Sequence, residues 1–130
     1  MELSVIRECS ALSMQGKVTF PEVVMRLAGI GVQYYFADLA RLQKTYYAAN
    51  GKTHIENMDF KPPKIADKFS TDEVQSAIRA IQKQEIEYPE FLHQIIESGC
   101  AFYIVFITGK KAIYFGKNGD FHVENFPSPK

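Results

Sequence analysis

The chain reads as an α+β protein of two ααβββ repeats, with antiparallel sheet packed against helices about a pseudo-two-fold axis. Three observations predict this class. Sliding the sequence against itself at an offset of 68 lays Phe20-Pro21-Glu22 on Tyr88-Pro89-Glu90 and Gly31 on Gly99. Without a gap, Tyr35 then meets Tyr103, Tyr46 meets Tyr114, Asn50-Gly51 meets Asn118-Gly119 and His54 meets His122. Apolar residues recur at helical spacing early in each half and at strand spacing later, and each half closes on two strands joined through Asn-Gly. The expected plan is one domain over 1–130, made of a first repeat (1–58), a connector (59–70) and a second repeat (71–126).

The first helix of the second repeat carries Val74, Ala77, Ile78 and Ile81 at i, i+3, i+4 and i+7, one helical face. Ser70 and Glu73 have the spacing of a capping box, and Phe69 is placed to staple against Val74. Val5, Cys9 and Leu12 give the first repeat the same stripe. A second helix starts at each aromatic-Pro-Glu: proline lacks an N–H that the first turn cannot pair, and the helix dipole favours the glutamate. Gly31 and Gly99 stand where a left-handed residue ends each helix.

Strands follow at Val32–Ala37 and Cys100–Ile107, both rich in aromatic and β-branched residues. Thr45–Ala49 and Ala112–Gly116 run into the Asn-Gly pairs and turn back as Lys52–Asn57 and Asp120–Asn125. Read as two-residue type I′ turns, they set Tyr47 opposite His54 and Phe115 opposite His122. Met58–Phe69, with Pro62-Pro63 inside it, is the connector. Gly109-Lys110-Lys111, between two apolar strands, reads as a hairpin turn rather than a phosphate loop.

Composition excludes several functions. Lys and Arg number 15 against 15 Asp and Glu, so the chain has no basic footprint for nucleic acid or an anionic membrane. No apolar run approaches the ~18 residues of a membrane span. The two cysteines, Cys9 and Cys100, fall on apolar stripes and read as buried, reduced thiols in a cytoplasmic protein.

The repeat singles out polar residues as well as core. Strand alternation puts His54 with Glu56, and His122 with Glu124, on one side of each hairpin. If the pseudo-axis joins the two third strands, these four side chains converge into a plausible first shell for a divalent metal or an acid–base site. The structural alternative is that each pair stabilises its own hairpin. Tyr35, Tyr46, Tyr103 and Tyr114 are candidates to line a ligand pocket, against the alternative that they are duplicated core. Neither a catalytic residue nor a cofactor is assigned.

Tyr88-Pro89-Glu90-Phe91 through Gly99-Cys100, then Tyr114-Phe115-Gly116 and His122-Val123-Glu124, carry a family resemblance. The chain resembles small bacterial and prophage proteins of unknown function often labelled "phage envelope protein", from Gly16-Lys17 and Phe20-Pro21-Glu22-Val23-Val24 to Phe126-Pro127. The resemblance implies an independently folding domain and brings no activity with it. The leading expectation is therefore a non-enzymatic module that binds a small molecule or a protein, including a second copy. Its motive is the apolar content of both faces of Cys100–Ile107, which demands cover on each side. The alternatives are a metal-binding protein or enzyme using the His/Glu pairs, and a virion or prophage accessory protein.

Overall fold

The computed structural model describes residues 1–127. Two helices, α1 (Leu3–Met14) and α2 (Phe20–Gly29), precede strands β1 (Val32–Asp38), β2 (Gln43–Ala48) and β3 (Thr53–Asn57). The same order recurs in α3 (Thr71–Gln82), α4 (Tyr88–Glu97), β4 (Cys100–Phe106), β5 (Lys111–Gly116) and β6 (Phe121–Asn125). All six strands form one antiparallel sheet in the order β3-β2-β1-β4-β5-β6. β1 and β4 pair at its centre, with Phe36 opposite Ile104, two positions 68 apart in the chain.

Helix starts follow their sequence signals. The Thr19 hydroxyl accepts the Glu22 N–H at 3.4 Å and the Glu22 carboxylate accepts the Thr19 N–H at 3.1 Å, a reciprocal box with Pro21 in the first turn. At α3 the expected box is half formed: Ser70 Oγ accepts the Glu73 N–H at 3.2 Å, and the Glu73 carboxylate does not return a bond to Ser70. On α1 the expected stripe of Val5, Cys9 and Leu12 is fully buried only at Cys9; Val5 and Leu12 are half-buried, and Ile6, outside that stripe, is buried beside them. Gly31 and Gly99 end their helices with φ of 86° and 95°. At Gly99 a side chain would also strike the Lys68 carbonyl, so the connector lies directly on this turn.

The two hairpin loops differ from expectation by one residue. Ala48 N–H donates to the Lys52 carbonyl, and Gly51, at φ 86°, donates back to Ala48. Each loop therefore has three residues, a turn followed by a left-handed glycine, in place of a two-residue type I′ turn. Gly116, Gly119 and Asp120 repeat the arrangement, with Gly119 at φ 90°. Because strand side chains alternate, the one-residue shift moves every side chain of β3 and β6 to the other face. His54 lies opposite Tyr46 and His122 opposite Tyr114.

The core lies between the helices and one face of the sheet. Ile6, Leu27, Val74, Ile78, Leu92, Ile95 and Ile96 come from the helices, and Tyr35, Ala37, Tyr46, Tyr103, Val105, Ala112 and Tyr114 meet them from the strands. Cys9 and Cys100 are buried, free thiols. Among the described residues no helix is long and apolar enough to cross a membrane.

Candidate functional site

The central pairing of β1 with β4 sends β3 and β6 to opposite edges of the sheet. Five strand spacings of ~4.8 Å separate them, so His54 and His122 stand roughly 24 Å apart. The expected convergence of His54, Glu56, His122 and Glu124 therefore does not occur, because bonds of ~2 Å cannot join one metal ion to both edges. Among the described residues no three His, Cys, Asp or Glu side chains gather closely enough to hold a metal ion.

Each pair instead closes on itself. His54 Nε2 lies 2.9 Å from Glu56 Oε1, and His122 Nε2 lies 3.1 Å from Glu124 Oε1. Glu124 also accepts a bond of 2.7 Å from Arg79 of α3, which ties the β6 edge to the helix layer. Burial pushes the Glu124 carboxyl up, but the bonds from Arg79 and His122 outweigh it and leave its pKa below the ordinary value.

The four tyrosines lie in the core. Tyr35 packs on Tyr46 with ring centroids 5.2 Å apart, and Tyr103 packs on Tyr114 at the same distance. Burial raises the pKa of all four, that of Tyr46 to about 12. Two open grooves on the helix side, of about 340 and 460 Å³, are lined by residues such as Pro89 with His93 and Ser76 with Arg79, and include none of these tyrosines.

Lys44 is the residue that alternation alone does not single out. It is 6% exposed, on the helix face of β2, with its ammonium 4.5 Å over the Tyr88 ring and 5.7 Å from that of Tyr35. Burial opposes the charge, but the Tyr88 and Tyr46 phenols beside it outweigh that, so the Lys44 pKa is raised. The Tyr88 hydroxyl also meets the Tyr103 hydroxyl at 2.6 Å. The position 68 residues on is Ala112. The buried ammonium therefore has no counterpart on β5.

The other face of the sheet is uncovered. Its side chains form three rows across all six strands. From β3 to β6 the first row reads Asn57, Gln43, Asp38, Phe102, Phe115, Phe121. The middle row reads Ile55, Thr45, Phe36, Ile104, Ile113, Val123, and the last reads Thr53, Tyr47, Tyr34, Phe106, Lys111, Asn125. None of these side chains belongs to the core. Rings stack continuously across the strands: Phe36 on Phe102 at 5.2 Å, Phe102 on Phe115 at 4.8 Å, and Tyr47 on Tyr34 at 4.5 Å. Phe121 is 60% exposed and Ile55 55%, although both sit on a regular strand. A contiguous apolar surface of this extent marks an interaction site.

A family model described as a protein of unknown function, DUF1398, matches residues 50–125, from the first hairpin loop to the end of β6. No curated protein matches the chain. The chain accordingly belongs to the DUF1398 family of proteins of unknown function.

Proposed function

We propose that the chain is a non-enzymatic binding module whose binding surface is the uncovered aromatic face of the sheet, and that its first occupant is a second copy of the same chain. The observation that carries this reading is the three-row face, in which eleven of eighteen side chains are large and apolar and no helix packs against them. Six strands and three rows make a face of about 29 by 20 Å, roughly 580 Å². Two such faces in full overlap would bury about 1,160 Å², the upper limit for this surface, and partial overlap puts the pair among weak, transient interfaces. Stacked rings are rigid and lose little side-chain entropy when a flat partner covers them. The equivalence of the two halves is part of the reading, supported by the repeated element order and by the central pairing of Phe36 with Ile104. A role in virion or prophage assembly would work through the same surface.

Light scattering coupled to size exclusion tests the reading. The chain, 14.8 kDa as a monomer, should show twice that mass at high concentration. Ile104→Lys should return it to monomer while its circular dichroism and melting temperature stay close to those of the parent. A wild-type monomer at about 1 mM, a concentration that populates even weak complexes, overturns the proposal.

A further inference from the structure

We infer that the second copy docks in one orientation, about a two-fold axis lying along the aromatic diagonal of the face, so that the strands of the two sheets cross near a right angle and Asp38 meets Lys111 of the second copy. This rests on the reading above and adds the orientation.

The apolar side chains do not fill the face evenly. Tyr47 and Tyr34 hold one corner and Phe102 and Phe115 the opposite one, with Phe36 and Ile104 between them. The two remaining corners are polar. One carries Asp38, and the other carries the exposed Lys111 next to Lys110. Asp38 Oδ1 accepts the Ala40 and Arg41 N–H groups at 3.0 Å each, which fixes the carboxylate and leaves its second oxygen unused by them. Among the described residues Lys111 forms no ion pair with a carboxylate of its own chain.

Four limiting two-fold axes in the plane of the face can be compared: along the strands, across them and on its two diagonals. An axis along the strands, or one across them, lays a polar corner on an aromatic corner and desolvates Asp38 or Lys111 against rings. The diagonal through the polar corners stacks aromatic on aromatic but turns each Asp38 toward its own copy, and each Lys111 likewise. The diagonal through the aromatic corners also stacks rings on rings, and it sets the acidic corner on the basic one. That diagonal alone satisfies both the apolar and the charged parts of the face.

Its angle is set by the lattice of the sheet. Tyr47 and Phe115 lie three strands and four residues apart, ~14 Å in each direction, so the diagonal runs about 45° from the strands. A two-fold on that line turns the second set of strands by about 90°, one of the two ways in which sheets pack. On the same lattice Asp38 falls roughly 4 Å in the plane from Lys111 of the second copy. The crossing overlaps a square of about 20 by 20 Å, roughly 800 Å² over both copies, and leaves Ile55 and Val123 beyond it, so the buried area is that of a weak, transient pair.

The test mixes two single variants, Asp38→Cys and Lys111→Cys, under mild oxidation. A disulfide-linked dimer is expected from the mixture and from neither variant alone, the native thiols being buried. In sedimentation equilibrium, Lys111→Glu should weaken self-association about tenfold, and Asp38→Lys in the same chain should restore it to within about threefold. Should Asp38→Lys disturb the turn it caps, Asp38→Asn keeps the acceptor for the turn and should weaken the wild-type dimer about threefold. A wild-type dimer with no cross-link in the mixture, and with Lys111→Glu associating like wild type, overturns the orientation and leaves the binding face standing. A wild-type monomer overturns both.

Discussion

Replacing Tyr88 by Phe removes the oxygen that pairs with a buried hydroxyl and keeps the ring beneath a buried ammonium. Its hydroxyl lies 2.6 Å from that of Tyr103, which is 3% exposed, and its ring carries the Lys44 ammonium at 4.5 Å. Losing the partner of a buried polar group costs ~1–3 kcal/mol, and here Tyr103 loses one, so about 2 kcal/mol is expected. For 130 residues that is a fall of roughly 7 °C in melting temperature. Lys44→Met removes the charge while nearly keeping the volume, trading a desolvated cation–π contact for relief of burial, and should change stability by less than about 1 kcal/mol. In the Lys44→Met background Tyr88→Phe still leaves Tyr103 short, and its cost should agree with that in the wild type within about 0.5 kcal/mol, because Phe keeps the ring under the ammonium. Urea denaturation of the four proteins measures it. A Tyr88→Phe cost under about 0.5 kcal/mol, or one that falls by more than about 1 kcal/mol without Lys44, refutes the reasoning.

Further outcomes follow from the same structure. Gly31→Ala and Gly99→Ala impose the same left-handed strain, but only Gly99 faces the Lys68 backbone. Thermal denaturation should therefore show a loss of about 1 kcal/mol for Gly31→Ala and of at least ~3 kcal/mol for Gly99→Ala. Burial raises Cys100 from 9.0 to about 12 and Tyr46 from 10.0 to about 12. Both groups are bound to their protons more tightly in the folded chain, so their contribution is complete below pH 9 and is lost as pH rises from about 9 to 12. Cys100→Ala should move the onset of alkaline unfolding, followed by circular dichroism, to higher pH. On the acid side the depressed Glu124 carboxyl stabilises the fold above its ordinary value of 4.5, and that contribution is lost as pH falls through its lower folded pKa. Arg79→Met should remove part of this acid-side slope at a neutral-pH cost of under about 1 kcal/mol.

Much of the secondary structure is legible in the sequence, because its signals are local. Pro21 and Pro89 in first turns, the glycines at 31 and 99, and the apolar stripe of α3 act within a few residues of themselves. The hairpin register is not legible to one residue. Asn-Gly serves a two-residue turn with two left-handed positions and also a three-residue loop with one, and here Gly51 and Gly119 alone take positive φ. That single residue decides whether His54 and His122 face the helices or the open side. The separation of the two His/Glu pairs depends on which strands meet at the centre, a long-range choice that no local pattern records. Lys44 is hidden for a related reason. A lysine in an alternating strand reads as solvent-facing, and only the arrival of Tyr88 from α4, 44 residues later, makes its burial tolerable.

The open face itself is visible in outline, since Phe102, Ile104 and Phe106 alternate with Tyr103, Val105 and Ile107 and leave no polar side to β4. Its extent across all six strands appears only once the sheet order is known.

Methyl-resolved NMR over a concentration series tests that face most directly. As the protein is concentrated from about 10 μM to 1 mM, a range that spans weak to moderate self-association, the methyl signals of Ile104 and Ile113 should shift along saturable curves. Those of Ile78 on α3 and of Ile95 and Ile96 on α4, buried in the core, should stay in place. Shifts confined to the helix side, or no shift anywhere up to the highest concentration, would contradict the assignment of the uncovered sheet as the binding surface.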